Sequence, residues 1–444
     1  MISSEPIISV GLIENAKEVR GSFHGYYELP TSIKLQGSFR ITNESRRLVL
    51  YDNEDVEVLR SEELTCRSLS GATFTLNDVT IGLNFHWERI EKQTFEGDLK
   101  IRLNADGTFS VINIIEVEIY LKSVIASEMS ADAPFELLKA HAITSRSWLV
   151  AMLERQQKFR GVSVDKQQSF ETADEIIRWY DREDHVFFDV CADDHCQRYQ
   201  GITKIISKSV TEAIEATRGT FLVAGHEVCD SRFSKACGGR TELFENCWEE
   251  TPISYLQSVS DSSMDYPPLL DEAHAERWFT SSPDVYCNTT NGKMLQHVLP
   301  SFDQETTDFF RWKVEYSREQ IEEILSTKSG IDFGTVMDFI PIKRGPSGRI
   351  VQLKIVGSNR TMIVGKELEI RRWLSKSHLY SSAFIVQIER DANGLPIKYV
   401  FSGAGWGHGV GLCQIGAAVM ASKGFTAEEI VKHYFVGVSL KKLY

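Results

Sequence analysis

A glutamate on the apolar face of a short helical pattern is the first residue of this sequence that could do chemistry. Glu128 follows Leu121 by seven positions and Val124 by four, so in a helix the three side chains share one face. Burial there and the negative end of the helix would both disfavour the ionised carboxyl. We therefore expect a protonated carboxyl that serves as a general acid; the alternative is a side chain turned outward to water.

A glycine-alternating stretch near the C-terminus holds the second candidate. Between Gly403 and Gly411 every second residue is glycine, and Trp406 and His408 stand among them. In a strand this period puts the glycines on one face as bare backbone, open to another chain or a ligand, and both rings on the other. An aromatic ring beside a polar group suits a sugar; the alternative is a tight strand with a satisfied histidine. The spacing is not that of a dinucleotide-binding loop.

Two cysteines and two histidines close together in an acidic stretch form the third candidate. They are His185, Cys191, His195 and Cys196, the ligand set of a closed tetrahedral zinc site. Their spacing is not that of a standard zinc finger. Ordinary thiols with a solvated histidine, a disulfide, or a nucleophilic Cys–His pair are the alternatives, although neighbours on a strand point to opposite faces.

Composition limits the classes of protein that remain. The chain has 444 residues, which favours two or three packed sub-domains around a cleft. A net charge of −13 argues against a nucleic-acid binder, and no apolar run approaches the ~20 residues of a membrane helix. Eight cysteines are too sparse for a disulfide scaffold. No signal peptide is visible at the N-terminus, so the chain either stays inside the cell or is a trimmed mature form.

Periodicity predicts the elements that must position these residues. Residues 1–110 alternate apolar and polar positions between turn signals, which indicates a β-rich part. A helical period begins near Val117, breaks before Pro134 and continues to Leu153, which places Glu128 at an elbow between two helices. The fold class we predict is α+β, with a substrate groove at this elbow. Further helices are predicted over 317–325, over 415–422 and after the capping box at 426–429.

Several blocks, in order from about residue 110 to the C-terminus, resemble the SpoIID/LytB family. The central block is Tyr120-Leu-Lys-Ser-Val-Ile-Ala-Ser-Glu-Met followed by Ala133-Pro-Phe-Glu-Leu-Leu-Lys-Ala-His-Ala-Ile-Thr-Ser-Arg-Ser-Trp, and the others span 195–201, 234–242, 405–417 and 433–437. The resemblance implies an extracytoplasmic protein acting on peptidoglycan, either as a lytic transglycosylase or as an amidase enhancer. It departs from the family at His141, where glutamine is usual, and at Ser147-Trp148 after the arginine.

The resemblance also implies roles for particular residues. Glu128 matches the catalytic acid, acting first as acid and then as base, so that a 1,6-anhydro ring forms without water and one carboxyl suffices where hydrolases need two. The resemblance also supports His185, Cys191, His195 and Cys196 as ligands of a structural zinc ion. The candidate substrate-binding residues are Arg146, Trp406, His408 and Gln414.

The sequence thus predicts a glycan-strand lyase in four parts. Residues 1–110 form a β-rich part, 111–261 the catalytic core, 262–345 an insertion, and 346–444 a C-terminal part whose glycine-rich strand makes the opposite wall of the groove. The partners expected are peptidoglycan glycan strands and, for a non-catalytic peptidoglycan-binding module, an amidase. A zinc-dependent hydrolase is the third hypothesis.

Overall fold

The protein is a mixed α+β structure, which confirms the predicted fold class. The computed structural model describes residues 2–82, 88–130, 132–159, 169–179, 185–193, 195–205, 207–299 and 306–444. Part of the acidic stretch and part of the predicted insertion lie outside the described residues. Within the described ranges no helix is both long enough and apolar enough to cross a membrane.

The N-terminal part is a large, mainly antiparallel sheet, as predicted. In β3 (Lys34–Glu44) the side chains of Leu35, Phe39 and Ile41 are buried while intervening residues face outward, which is the pattern of a sheet covered on one face. The short parallel strand β13 (Val190–Cys191) adds to its edge beside β1. The other strands are β1 (Ile7–Ala16), β2 (Glu18–Glu28), β3 (Lys34–Glu44), β4 (Arg47–Tyr51), β5 (Glu57–Ser61), β6 (Glu63–Ser68), β7 (Thr73–Ile81), β8 (Arg89–Glu96), β9 (Asp98–Leu103) and β10 (Phe109–Glu116).

The central helices form the predicted elbow. Helix α1 (Val117–Glu128) ends where Met129 becomes extended, and α2 (Phe135–Phe159) starts directly after Pro134. Helix α2 is almost completely buried between residues 137 and 150. It packs against α3 (Lys208–Ala216), β14 (Thr220–Ala224), α8 (Gln414–Ser422) and α9 (Ala427–Tyr434). The capping box predicted at Thr426 opens α9, so the sequence signal for this helix is confirmed.

A second hydrophobic core lies between Trp312 and Phe401. The predicted boundary after residue 345 falls in the turn between β18 and β19, which pair as one antiparallel hairpin. Residues of 269–299, together with Phe309 and Phe310, in contrast contribute side chains to the main core. The elements here are α4 (Glu272–Phe279), α5 (Gly292–Val298), β17 (Arg311–Ser317), α6 (Arg318–Ser329), β18 (Val336–Arg344), β19 (Ile350–Gly357), β20 (Thr361–Gly365), α7 (Glu367–Trp373), β21 (Phe384–Arg390) and β22 (Pro396–Ala404).

Short strands complete the chain. Strand β14 pairs with β15 and β24, and β16 pairs with β23, whereas β11 and β12 extend the sheet of β18, β19 and β20. The parallel pair β16–β23 sets Ser234 opposite Cys413. Their bounds are β11 (Ser169–Glu171), β12 (Glu175–Arg178), β15 (Glu227–Val228), β16 (Phe233–Ser234), β23 (Leu412–Cys413) and β24 (Ser439–Lys442).

The glycine-rich stretch is a loop, and the predicted strand is wrong. Strand β22 ends at Ala404, and the next strand begins only at Leu412. The chain turns between them because four glycines take positive φ, which other residues rarely adopt. A Cβ at Gly409 would lie 2.4 Å from Cζ of Arg349, so this backbone faces protein and is not bare to a ligand. The four positive φ angles are 74° at Gly405, 92° at Gly407, 77° at Gly409 and 71° at Gly411.

Candidate active site at the helical elbow

Glu128 is buried at the end of α1, as predicted, and is not turned out to water. Its exposed fraction is 7%. The carboxyl oxygen Oε1 accepts a hydrogen bond from the backbone N–H of Arg198 at 3.1 Å, and Lys235 Nζ donates to the backbone carbonyl of Glu128 at 3.4 Å. Shielding and a fixed orientation are two features that a general acid requires.

The segment 196–200, which includes the Arg198 N–H that holds this carboxyl, runs along α1 and is itself fixed by buried hydrogen bonds. Tyr199 stacks on Tyr120 of α1, with ring centroids 5.0 Å apart. This packing places the N–H of Arg198 over the end of the helix. The bonds are Gln197 Nε2 to Ser145 O at 3.2 Å, Tyr199 OH to Asn113 Oδ1 at 2.6 Å, and Gln200 N to Ser123 Oγ at 3.0 Å.

The four predicted metal ligands come together at the start of the same segment. Their ligand atoms all lie within 4.8 Å of one another. Three pairs are 3.3 Å (His185 Nε2 to Cys196 Sγ), 3.5 Å (His195 Nδ1 to Cys196 Sγ) and 3.8 Å (His195 Nδ1 to Cys191 Sγ) apart. Tetrahedral zinc with Zn–S of about 2.3 Å and Zn–N of about 2.0 Å would separate its ligands by roughly 3.3–3.8 Å. The donor set and its spacing therefore fit zinc, and neither cysteine is in a disulfide.

His408 is a neutral, partly buried histidine. Its Nδ1 accepts the backbone N–H of Val410 at 3.0 Å, which leaves the proton on Nε2. Burial, with the nearby guanidinium of Arg232, holds the pKa of His408 well below its usual range. Its ring lies 4.7 Å from that of Trp248. His408 is therefore a fixed hydrogen-bond donor at neutral pH rather than a cation.

Trp406 packs against a different set of rings from His408. The Trp406 indole lies between Tyr380, with centroids 4.2 Å apart, and Phe309 at 4.9 Å. The prediction that both rings line one strand face fails together with the strand. Trp406 is partly exposed and remains a candidate platform for a sugar, while its backbone pairs with Ala236, next to Lys235.

The structure places Arg146 in the interior. Arg146 is wholly buried and forms a bidentate ion pair with Glu118, through Nε at 2.9 Å and Nη2 at 2.7 Å. Its Nη1 donates to the carbonyl of Thr220. This placement gives the guanidinium a structural role and does not support the predicted contact with substrate.

Gln414 is also an interior residue. Its side-chain Nε2 lies 2.9 Å from Nε2 of His141, and both residues are almost fully buried. The amide donates to the unprotonated ring nitrogen, so the other ring nitrogen carries the proton towards Ser145. The predicted substrate contact of Gln414 finds no support here, because its amide is engaged within the core.

His141 makes the fold sensitive to acid. Burial, with the charge of Lys235, lowers the pKa of His141 to about 3, against about 6.5 for the unfolded chain. The unfolded state therefore binds a proton below pH 6.5 that the folded state refuses, and stability falls with pH down to about 3.

Between pH 7.5 and 5.5 we expect the free energy of unfolding to fall by about 1.4 kcal/mol less in His141→Gln than in the wild type. Urea unfolding of both proteins at the two pH values measures the difference, with His274→Gln on the exposed face of α4 as the control. An equal loss in wild type and His141→Gln would mean that His141 is protonated in the folded state.

Sequence reasoning missed the groups that surround Glu128. The N–H of Arg198 is a backbone donor, which no side-chain pattern can reveal, although it lies inside the 195–201 block. Lys235 lies inside the 234–242 block, and its position in that block is the signal that could have found it. Two buried hydroxyls, of Ser127 and Ser234, have no hydrogen-bond partner among the described residues.

The fold and this site define a class: an α+β protein with a shielded glutamate at a helical elbow, held by a segment that begins in a Cys/His cluster. Comparison with known proteins agrees with the resemblance found in the sequence. The family model described as "Stage II sporulation protein" (SpoIID) matches residues 105–223, which contain α1, α2 and the cluster. A second model, described as a domain of unknown function (DUF8618), matches residues 242–411.

Relatives are similar over most of the chain. Stage II sporulation protein D of Bacillus amyloliquefaciens is 25% identical over 78% of this chain and 80% of its own length. An uncharacterized protein of Brachyspira hyodysenteriae is 27% identical over 76% of this chain and 69% of its own. The amidase enhancer of Bacillus subtilis is 21% identical over 72% of this chain but 40% of its own length. The predicted resemblance to the SpoIID family is confirmed: residues 105–223 match its family model, and a relative of that name is similar over most of the chain.

Proposed function

We propose that this protein is a lytic transglycosylase that cleaves peptidoglycan glycan strands outside the cytoplasm. The names of its relatives, a sporulation protein and an amidase enhancer, support a cell-wall-related function. The observation that carries the finer proposal is the shielded carboxyl of Glu128 at the elbow, oriented by the N–H of Arg198. In a non-catalytic module the same carboxyl would have a structural role, as Glu118 has.

Glu128 acts twice in the proposed reaction. Its protonated carboxyl gives a proton to O4, the oxygen that bridges C1 of N-acetylmuramic acid and C4 of N-acetylglucosamine, and the C1–O4 bond breaks. The resulting carboxylate then takes the proton from the muramoyl 6-hydroxyl while O6 forms a bond to C1. The proton balance closes on Glu128 and no water is consumed, so a second carboxylate is not required.

The neighbouring polar groups suit the substrate. Sugar rings are bound by hydrogen bonds and by stacking on aromatic rings. Lys235 Nζ donates to the backbone carbonyl of Glu128, and Trp406 offers a partly exposed ring for stacking. We assign Trp406 and His408 to sugar positioning, since neither side chain is hydrogen-bonded to the Glu128 carboxyl.

The Cys/His cluster would hold a structural zinc ion. A closed site with four protein ligands leaves no position for water or substrate, so the ion supplies a cross-link and no catalytic chemistry. Cys196 stands two residues before Arg198, whose N–H orients Glu128. The ligands therefore fix the start of the segment on which the geometry of the acid depends.

Loss of two ligands is expected to remove the ion and impair catalysis together. Cys191→Ser combined with Cys196→Ser should lose one zinc ion per chain and lower the rate of glycan cleavage by at least about tenfold, as removal of ligand support does elsewhere. Elemental analysis and a cleavage assay measure the two effects. Cys66→Ser, at a buried cysteine of β6 outside the cluster, is the matched control. Full activity without bound metal would refute the positioning role.

Digestion of purified sacculi tests the proposed function. Mass spectrometry should find fragments ending in 1,6-anhydro-N-acetylmuramic acid. An amidase enhancer would produce none of these ends, although it would bind the sacculi and stimulate an added amidase. A zinc-dependent hydrolase would instead produce reducing ends and lose its activity on chelation. Either of these two results would replace the proposal.

A further inference from the structure

A second cluster of metal-binding side chains lies in the core, away from the predicted one. Cys237, Asp261, Cys287 and Cys413 come from four separate segments, and all four are buried to within 1% of complete. Their ligand atoms lie within 4.8 Å of one another. Because these residues are far apart in the sequence, only the tertiary fold brings them together.

The spacing of the thiols is that of ligands and not that of a disulfide. Cys237 Sγ and Cys287 Sγ are 3.8 Å apart, whereas a disulfide needs about 2.05 Å. Two sulfurs on a tetrahedral zinc ion with Zn–S of about 2.3 Å would be roughly 3.8 Å apart. Three thiols also cannot all pair with each other, so oxidation would leave one cysteine of the cluster over.

Asp261 is oriented as a ligating carboxylate. Tyr434 OH donates to Oδ1 at 2.6 Å and the backbone N–H of Cys287 donates to Oδ2 at 2.7 Å. Each oxygen keeps a further lone pair, and such outer hydrogen bonds are the usual means of fixing a metal ligand. Gly416 leaves the space for this carboxylate, since a Cβ there would lie 2.2 Å from Oδ1.

The backbone around Cys413 supports an anionic sulfur. The N–H of Cys237 donates to Cys413 Sγ at 3.2 Å. Cys413 also stands at the N-cap of α8, where the partial positive charge of a helix start favours a thiolate. A buried carboxylate beside buried thiols is costly in the interior unless a cation or metal compensates it.

We propose that Cys237, Cys287, Cys413 and Asp261 form a second, closed structural site for Zn²⁺. Three soft thiolates and one carboxylate oxygen within 4.8 Å of one another favour zinc over the hard, oxygen-seeking Mg²⁺ and Ca²⁺. The ion would join Asp261 and Cys287 to the segment after β16 and to the start of α8. The segment after β16 also contains Lys235, which donates to the backbone carbonyl of Glu128. The second ion would therefore help to fix the end of α1 at the elbow.

Zinc content of the full chain is the experiment. Protein purified without chelator in reducing buffer should hold about two zinc ions per chain, and Cys191→Ser with Cys196→Ser should still hold one. Adding Cys287→Ser to that variant should remove the last ion. Cys229→Ser, at a buried cysteine outside both clusters, should leave the zinc content unchanged.

Cobalt and thiol titration keep the test decisive if Cys287→Ser fails to fold. Co²⁺ bound to the variant lacking Cys191 and Cys196 should show the intense near-ultraviolet thiolate band and the visible bands of tetrahedral cobalt. Asp261→Asn should weaken its binding without unfolding the chain. The proposal is overturned if the variant lacking only Cys191 and Cys196 binds neither zinc nor cobalt. It is also overturned if mass spectrometry finds Cys237 in a disulfide in the native chain.

Discussion

Glu128→Gln is expected to slow glycan cleavage by about 10²–10⁴-fold, the range that a positioned general acid contributes. Glutamine has the same shape and can still accept the hydrogen bond from the N–H of Arg198 through its amide oxygen. It cannot donate a proton to the leaving oxygen and cannot take one back from the 6-hydroxyl. We therefore expect the loss in kcat, with substrate binding and folding preserved.

The matched control for this variant lies on the same helix. Glu116→Gln changes an exposed carboxyl at the N-cap of α1 and should leave the rate of cleavage unchanged. Circular dichroism and the unfolding midpoint establish that both variants fold. Turnover by Glu128→Gln at the rate of Glu116→Gln would remove Glu128 from the acid role.

Arg146→Met is expected to destabilise the fold by about 3–5 kcal/mol, because it leaves the Glu118 carboxylate buried without its charged partner. Burial alone would raise the pKa of Glu118, but the bonds from Arg146 and Tyr444 outweigh it, so this pKa is lowered. The pair joins α1 to α2 and, through the carbonyl of Thr220, to β14. Denaturant unfolding measures the loss.

A surface ion pair supplies the comparison for Arg146→Met. Lys158→Met breaks the exposed contact with Glu227 and should cost less than about 1 kcal/mol. The double variant Glu118→Gln with Arg146→Met should recover part of the lost stability, since no charge then stays unpaired. Unchanged stability in Arg146→Met, with a raised KM for glycan, would instead support the substrate contact that the sequence predicted.

Local patterns predicted the elements that carry the site. The change from period two to a helical period located the elbow, and Pro134 and the Thr426 capping box marked where helices begin. The His185–Cys196 cluster could be predicted because its ligands are close in sequence. The loop at Gly403–Gly411 was predicted wrongly as a strand. Glycine adopts both positive and negative φ, so the same alternating sequence is compatible with a strand and with a turning loop.

Contacts between distant residues lay beyond the sequence. Nothing near Arg146 shows that Glu118 will be its partner, and the amide of Gln414 meets His141 from the other end of the chain. A polar residue in a family motif therefore reads equally well as a substrate contact or as a buried structural bond. Only packing distinguishes the two, and here it gives Arg146 and Gln414 to the core.

The most direct test of the central claim is digestion of sacculi in isotopically labelled water. Glu128 is proposed to pass its proton between two oxygens of the substrate itself, so the new glycan ends should carry no oxygen from the solvent and be lighter than hydrolytic ends by one water. Labelled, reducing N-acetylmuramic acid ends that depend on Glu128 would show that water is the nucleophile, and would contradict the account.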